Sequence, residues 1–332
     1  MATEPHSVSA PRRRHRAVSI LIALTVIVVI AAMTWWLRRP TAPTIVEFPM
    51  LDAGDIPTMI AVGPDGTAWF TIDSAAAIGR VRDGKLERLA KAQTSLEPIG
   101  LAIAPDGAAW YTEAPQRRIS RMAPDGTVTS FDTGSMLARL GHVAAAPDGS
   151  VWFTESSAYA ITRVKDGALE RHILDSPRAA PLGIAVAPDG TVWATLQSTN
   201  QLVRIDHGGG MKTFDIPTRG SSPADIAVGP DGVVWFLEFR GNRLGRFADG
   251  RFDEYPLGEP NVGPTGLAAG PDGSVWFGML RQGVIGRFRD GRIERIELPR
   301  ERARPYSVAV DRDGHVWYTD ISGYVGRITP GR

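Results

Sequence analysis

The chain has 332 residues, no cysteine and a formal net charge of +1. Without cysteine it can form no disulfide framework, no thiol nucleophile and no cysteine-ligated metal site. With residues 1–39 set aside, 31 basic and 35 acidic residues remain. This acidic balance argues against nucleic acid as a partner, because nucleic-acid binding calls for a basic face.

The first patterned segment is apolar. Residues 17–37 (AVSILIALTVIVVIAAMTWWL) carry no charge, and a helix of this length spans roughly 30 Å, the thickness of the bilayer hydrocarbon. Four arginines precede the segment and two follow it, which predicts that the N-terminus lies inside the cell. The alternative is a cleaved signal peptide, although the apolar core is long and Ala31-Ala32-Met33 is a poor cleavage site.

These features predict four parts. Residues 1–16 form a basic cytoplasmic tail, 17–37 a transmembrane signal-anchor helix, 38–43 a spacer and 44–332 a folded domain. The arrangement corresponds to a single-pass protein of the cytoplasmic membrane with its domain on the extracytoplasmic side.

One segment of the domain recurs seven times. Its first copy, IAVGPDGTAWFT, contains Trp69, and the later tryptophans follow at intervals of 41 or 42 residues. An alanine stands eight residues before each tryptophan, the Asp of an Asp-Gly pair four before it, and an arginine ten or eleven after it. The tryptophans are Trp69, Trp110, Trp152, Trp193, Trp235, Trp276 and Trp317. A period in the forties indicates a repeat architecture.

Each copy reads as four short strands joined by turns. In the first copy these are Thr58–Val62, Thr67–Ile72, Ile78–Val81 and Lys85–Leu89, because G-P-D-G and D-G between apolar runs are turn and hairpin signals. A second aromatic residue follows most of the tryptophans, so both faces of the second strand are apolar. The pattern predicts an all-β protein, a seven-bladed β-propeller of four-stranded antiparallel blades.

The ends of the domain predict how the ring closes. The seventh copy lacks a fourth strand, whereas Thr44–Met50 (TIVEFPM) is a strand without a copy of its own. It is similar to Arg292–Pro299 (RIERIELP), the fourth strand of the sixth copy. Residues 44–50 are therefore predicted to complete blade seven, which would cover an otherwise open sheet edge.

Candidate functional residues lie where the copies differ. Strands one and two are antiparallel, so the start of strand one and the end of strand two meet at one edge of the ring, here called the upper rim, opposite the P-D-G turns. The predicted ligand-binding residues of this rim are Glu113, His142, Glu155, Asp225, Glu238, Tyr306 and Asp320.

These residue types allow metal binding or acid–base chemistry. Glu113 and Glu155 are the metal candidates, and the catalytic candidates are His142, Glu155 and Glu238. The alternative is a solvated acidic rim in which each glutamate bonds the adjacent strand or a loop arginine, for which the sequence offers Arg117, Arg240 and Arg281.

The repeat G-P-D-G-x-x-W-F-T-E followed by I-G-R resembles the streptogramin lyase (virginiamycin B lyase) family. The resemblance covers residues 44–332 and is carried by Gly63–Thr71, Ala104–Glu113, Ala146–Glu155 and Gly229–Glu238, with Ile78-Gly79-Arg80 and Ile285-Gly286-Arg287. It implies a seven-bladed propeller and a magnesium-dependent elimination that opens cyclic streptogramin B antibiotics at an ester.

The resemblance also implies two histidines that open strand one in successive blades, and a glutamate that ends strand two in the second of them. The matching first position holds Thr58, Ile99, Gly141, Leu182, Ala224, Thr265 and Tyr306. None of these is histidine, and His142 stands one residue later, where it points to the opposite side unless a bulge intervenes.

Two functions follow. The first hypothesis is a monomeric binding module that takes a small molecule, a glycan or an envelope protein at the upper rim. The alternative is a Mg²⁺-dependent carbon–oxygen lyase acting on a streptogramin B-type antibiotic or another ester, and a lactonase is a third, weaker possibility.

Overall fold

Four-stranded antiparallel sheets are the repeating unit of the computed structural model. It describes residues 42–75, 77–89, 98–114 and 116–331, and the strands within these ranges form seven such sheets. The first strands of neighbouring sheets contact one another in a closed cycle around a central axis. The structure therefore confirms the seven-bladed propeller predicted from the repeat.

The blades follow one another along the chain. Blades one to three contain β2 (Pro57–Val62), β3 (Ala68–Ile72), β4 (Ala77–Arg82), β5 (Lys85–Leu89), β6 (Pro98–Ile103), β7 (Ala109–Glu113), β8 (Arg118–Met122), β9 (Val128–Asp132), β10 (Leu140–Ala145), β11 (Val151–Glu155), a 3-10 turn (Ser156–Ala158), β12 (Ala160–Lys165) and β13 (Ala168–Ile173). Blades four and five contain β14 (Pro181–Val186), β15 (Val192–Leu196), β16 (Gln201–Ile205), β17 (Met211–Asp215), β18 (Pro223–Val228), β19 (Val234–Glu238), β20 (Arg243–Ala248) and β21 (Arg251–Pro256). Blades six and seven contain β22 (Pro264–Ala269), β23 (Val275–Met279), β24 (Val284–Arg289), β25 (Arg292–Glu297), β26 (Pro305–Val310), β27 (Val316–Asp320), β28 (Tyr324–Thr329) and β1 (Thr44–Pro49).

The spaced residues of the repeat form one row across each blade. In blade one, Ala61 lies opposite Trp69 and Trp69 lies opposite Arg80. The guanidinium of Arg80 stands 5.5 Å from the centre of the Trp69 ring and donates to Glu87 at 2.7 Å. Such cation–π contacts combine with ion pairs to hold the outer edge of the blade. The repeated alanine and arginine are thus structural.

The P-D-G turns follow an equally local rule. The Asp65 carboxylate accepts the backbone N–H of Thr67 at 3.0 Å, and Gly66 adopts a φ of +80°. This is an Asx-type turn in which only glycine takes the left-handed position without strain.

The threonine after the Trp-aromatic pair joins neighbouring blades. Thr195 accepts the backbone N–H of Gly183 in its own blade and donates to the carbonyl of Ala224 in the next, both at 2.9 Å. Thr112 and Thr319 make the same pair of bonds in their blades. Each such hydroxyl satisfies one donor and one acceptor of the buried first strands, which would otherwise be costly to bury.

Blade seven is completed by β1. Thr44–Pro49 pairs antiparallel with Tyr324–Thr329, from Thr44 opposite Thr329 to Pro49 opposite Tyr324. Glu47 in this strand accepts the Tyr318 hydroxyl at 2.6 Å and Arg300 Nε at 2.8 Å. The closure predicted from the sequence is confirmed.

All the strands belong to one compact unit, Thr44–Thr329. In the part of the chain that the structure describes, no helix is long and apolar enough to cross a membrane. The anchor predicted for residues 17–37 lies outside the described residues and stays a prediction.

Candidate functional site

The upper rim is shaped by an irregularity at the start of strand one. In the described blades the pairing register of strand one shifts near its beginning, in blade three between Leu140 and Val143. A β-bulge of this kind re-aims a side chain. This bulge includes His142, whose direction depended on whether a bulge was present.

His142 faces another blade across the axis. Its Nδ1 lies 3.5 Å from Oδ1 of Asp225, which belongs to blade five, and both side chains are more than four-fifths buried. Asp225 Oδ1 also accepts the backbone N–H of Ile226 at 3.0 Å. Histidine is a common proton acceptor at ligand sites, and a carboxylate this close can orient its ring.

Tyr306 of blade seven belongs to the same mouth. Burial raises the pKa of its phenol, and the nearby carboxylates of Asp225 and Asp73 raise the pKa further, so Tyr306 is a neutral hydrogen-bonding group at physiological pH. The residue keeps 36 % of its surface exposed. We call His142, Asp225, Tyr306 and Asp73 the axial cluster; it combines three of the predicted ligand-binding residues with Asp73, which directly follows strand two of blade one.

The glutamates that end strand two are placed differently. Glu113 is 3 % exposed and accepts Arg118 at 2.7 Å and the Ser120 hydroxyl at 2.6 Å. Glu155 is fully buried and takes Arg171 Nε at 3.0 Å and the Thr162 hydroxyl. These partners stand on strands three and four of the same blades, so both carboxylates are directed toward the outer strands and not toward the axis.

Asp320 repeats this arrangement in blade seven. It is fully buried, accepts Arg300 at 2.7 Å and the backbone N–H of Arg304 at 2.8 Å. The arginine partners are Arg118, Arg171 and Arg300 rather than the loop arginines that the sequence offered. The structure therefore does not bring Glu113, Glu155 and Asp320 into the axial cluster.

Glu238 is the exception among these carboxyl groups. It is fully buried and forms no ion pair with a described residue. Neither carboxyl oxygen meets hydrogen-bond geometry with a described protein group. Burial and then the neighbouring Glu254 carboxylate raise its pKa to about 7, although the Ser221 hydroxyl lies close enough to lower this pKa slightly. Glu254 stands opposite Gly245 in blade five, just as Arg171 stands opposite Thr162 in blade three. A glutamate thus replaces the compensating arginine.

Magnesium, which the resemblance implies, is bound in proteins through free oxygen ligands and water. The predicted ligands Glu113 and Glu155 each carry an arginine at hydrogen-bond distance, so this donor set does not fit a magnesium ion. Within the described ranges, a group of three acidic or histidine ligands occurs at Asp311, Asp313 and His315. These residues belong to the P-D-G-type turn of blade seven, on the opposite rim.

Cavities open on both rims. The lower mouth of the channel, 660 Å³, is lined by valines, alanines and the prolines of the P-D-G turns. On the upper rim a cleft of 770 Å³ runs from Gly141 and Leu182 at the axis to Tyr159 and Arg178 at the periphery. Sequence reasoning missed this cleft, although one signal was present: Tyr159 stands where blades four and five have asparagine.

The arrangement defines a class of protein: a closed seven-bladed propeller whose upper channel mouth gathers polar side chains from several blades. The sequence model of the Virginiamycin B lyase family matches residues 85–332. The chain belongs to this family.

Solved structures agree with this assignment. A streptogramin B lyase structure is 26% identical and superposes with a TM-score of 0.82, covering 87% of this chain and 98% of its own. A catalytically inactive variant of virginiamycin B lyase from Staphylococcus aureus with quinupristin is 27% identical, with a TM-score of 0.82 and coverages of 86% and 99%. Hydrazine synthase from Kuenenia stuttgartiensis, 16% identical with a TM-score of 0.66 and coverages of 85% and 97%, shares the fold alone. The search of curated proteins found no match.

Proposed function

We propose that this protein is a ligand-binding member of the Virginiamycin B lyase family that takes a small molecule at the axial cluster. The observation that carries the proposal is the contact between His142 and Asp225, two blades apart, at 3.5 Å. Polar groups that converge from several elements on one mouth are the usual mark of a ligand site. The histidine pair implied by the family resemblance is not matched, so binding is favoured over turnover. A glycan or an envelope protein at the same rim remains within this proposal.

A lyase activity is the second candidate, and the bulge at His142 favours it. In an elimination at an ester, the base removes the proton from the carbon next to the one that bears the ester oxygen. The electron pair of that C–H bond forms a carbon–carbon double bond as the bond between carbon and ester oxygen breaks, and the acyl part leaves as a carboxylate. His142 would take the proton, and Asp225 would stabilise the imidazolium that forms. No step is assigned to Glu113, Glu155 or Glu238, which are buried on the outward side of strand two.

Quinupristin, the compound in a related structure, tests both candidates. Calorimetry with the full-length protein measures binding, and mass spectrometry after incubation detects an opened isomer of unchanged mass with shifted retention. We expect binding that His142→Ala weakens at least tenfold and no opened isomer. The isomer would replace the binding proposal with the lyase; absence of binding would refute the proposal for this ligand class. Arg251→Gln, on the exposed outer strand of blade five, is the control.

We also propose that residues 17–37 anchor the protein in the cytoplasmic membrane with the propeller outside. The support is the uncharged 21-residue segment and the excess of arginine before it. Protease added to intact spheroplasts should then digest a C-terminal tag. A tag that stays protected until the membrane is permeabilised would contradict this orientation.

A further inference from the structure

The upper-rim cleft between blades three and four has a one-sided charge. Its lining includes Arg139, Arg178, Tyr159, Ser157 and Gln197, and every lining residue is neutral or cationic. This composition is unusual in a domain with more acidic than basic residues. A concave surface lined by one sign of charge focuses the electrostatic potential and attracts the opposite sign.

The two arginines lack the compensation found elsewhere in the ring. Arg118, Arg171 and Arg300 each pair with a buried carboxylate. Within the described ranges, by contrast, Arg139 and Arg178 form no ion pair, and both are exposed at the cleft. Their backbones are nevertheless fixed: Ser156 donates its N–H to the Arg139 carbonyl at 2.9 Å, and the Arg178 N–H donates to the Ser176 hydroxyl at 3.2 Å.

The residue before strand three differs between the blades. It adopts a left-handed conformation in blades two to seven and is asparagine in blades four and five; the residues are Arg117, Tyr159, Asn200, Asn242, Gly283 and Gly323. In blade four the Asn200 amide donates to the carbonyls of residues 216 and 218 and accepts the N–H of Ser221. This amide therefore clamps the loop that follows strand four.

Asn242 clamps the corresponding loop of blade five, by bonds to the carbonyl of Glu259 and the N–H of Val262. In blade three the residue is Tyr159, which has no amide and cannot make this clamp. Its left-handed backbone conformation is one that asparagine adopts more easily than tyrosine. Tyr159 is half-buried and lines the cleft beside the loop that carries Arg178.

We propose that this cleft binds the anionic group of a small molecule, a carboxylate or a phosphate, between Arg139 and Arg178. Arginine suits both groups because its planar fork bonds two oxygens at once. Tyr159 packs against the apolar part of the same ligand. The inference rests on the proposed binding function, since the cleft begins at Gly141, next to His142, and it adds the chemical class of the ligand.

Phenyl phosphate, benzoate and uncharged benzyl alcohol test the proposal, with binding to the full-length protein measured by saturation-transfer NMR titration. The two anions separate phosphate from carboxylate recognition, and the alcohol controls for the ring. We expect at least one anion to bind and the alcohol not to bind. Arg139→Gln and Arg178→Gln should each weaken anion binding about tenfold, as the loss of one charge-assisted contact predicts. Arg251→Gln should leave it unchanged.

Tyr159→Asn separates binding from folding. It restores the residue of blades four and five, so the melting temperature should stay the same or rise while anion binding weakens. Equal binding of benzyl alcohol, no binding of either anion, or binding unchanged in the Arg139→Gln/Arg178→Gln double variant would overturn the inference. If quinupristin binds in a His142-dependent manner while the anions do not bind, the proposed function stands and only this inference fails.

Discussion

Glu238→Gln is expected to stabilise the protein at alkaline pH and to change little under mildly acidic conditions. The carboxyl group is fully buried without an ion-pair partner among the described residues, and burial together with Glu254 raises its pKa from 4.5 to about 7. The folded state therefore holds this proton more tightly than the unfolded state. Its contribution to stability is fully present below pH 4.5 and is lost as the pH rises through 7.

The magnitude follows from the pKa difference. A pKa change from 4.5 to about 7 lowers the free energy of unfolding by about 3 kcal/mol between strongly acidic and strongly alkaline pH. About 2–3 kcal/mol of this loss falls between pH 5 and pH 8. Glutamine has the shape of the protonated acid, and its amide can donate to Glu254. The variant should therefore lack this part of the pH dependence.

Urea unfolding followed by tryptophan fluorescence at pH 5 and pH 8 measures the effect. Glu155→Gln is the matched control, because it leaves the Arg171 guanidinium without its buried partner. We expect it to lower the free energy of unfolding by about 3–5 kcal/mol at both pH values. An equal loss of stability between pH 5 and pH 8 in the wild type and Glu238→Gln would refute the assignment of the proton to this carboxyl group.

Three further substitutions test the scaffold. Thr195→Val keeps the shape of the side chain but removes the link to Ala224, and should lower the free energy of unfolding by about 1–3 kcal/mol in urea titrations; no change would mean that the link is dispensable. Gly245→Ala places a methyl group against the Phe236 ring and should lower the melting temperature through about 1–3 kcal/mol of overpacking. An unchanged melting temperature would show that the ring moves aside freely. Glu47→Ala removes the half-buried acceptor that joins β1 to blade seven and should cost about 2–4 kcal/mol, seen as a lower urea midpoint; wild-type behaviour would contradict the closure argument.

The sequence predicts the fold because the repeat encodes direct contacts. The spacing of Ala61, Trp69 and Arg80 is the spacing of residues that lie opposite one another across three strands. The same reasoning identifies β1 as the missing strand of blade seven, since it resembles the fourth strand of blade six. Both features can be predicted from the sequence, because the spacing involves residues of a single blade and the closure follows from counting the strands in each repeat.

The site is less predictable because it depends on local backbone geometry. The bulge before Val143 that re-aims His142 leaves no mark in the residue types. Glu155 stands two residues after Phe153, so the two side chains share one face of the sheet. On that face Phe153 packs among residues of blade two. Glu155 bonds Thr162 on the adjacent strand, as the sequence allowed, but its arginine partner Arg171 lies one strand further out. Pairing across a blade is visible only once the register is known.

Closure by β1 has a consequence for how the protein folds. Thr44 meets Thr329, so blade seven cannot be finished until nearly all of the chain is available. Because the entropy of closing a loop grows only with the logarithm of its length, joining these ends costs only about 2 kcal/mol more than closing a loop within one repeat. In return no blade is terminal, and unfolding cannot start by fraying from one end as it does in an open repeat array. We therefore expect the ring to open and close as a single cooperative unit, although it is made of seven similar parts.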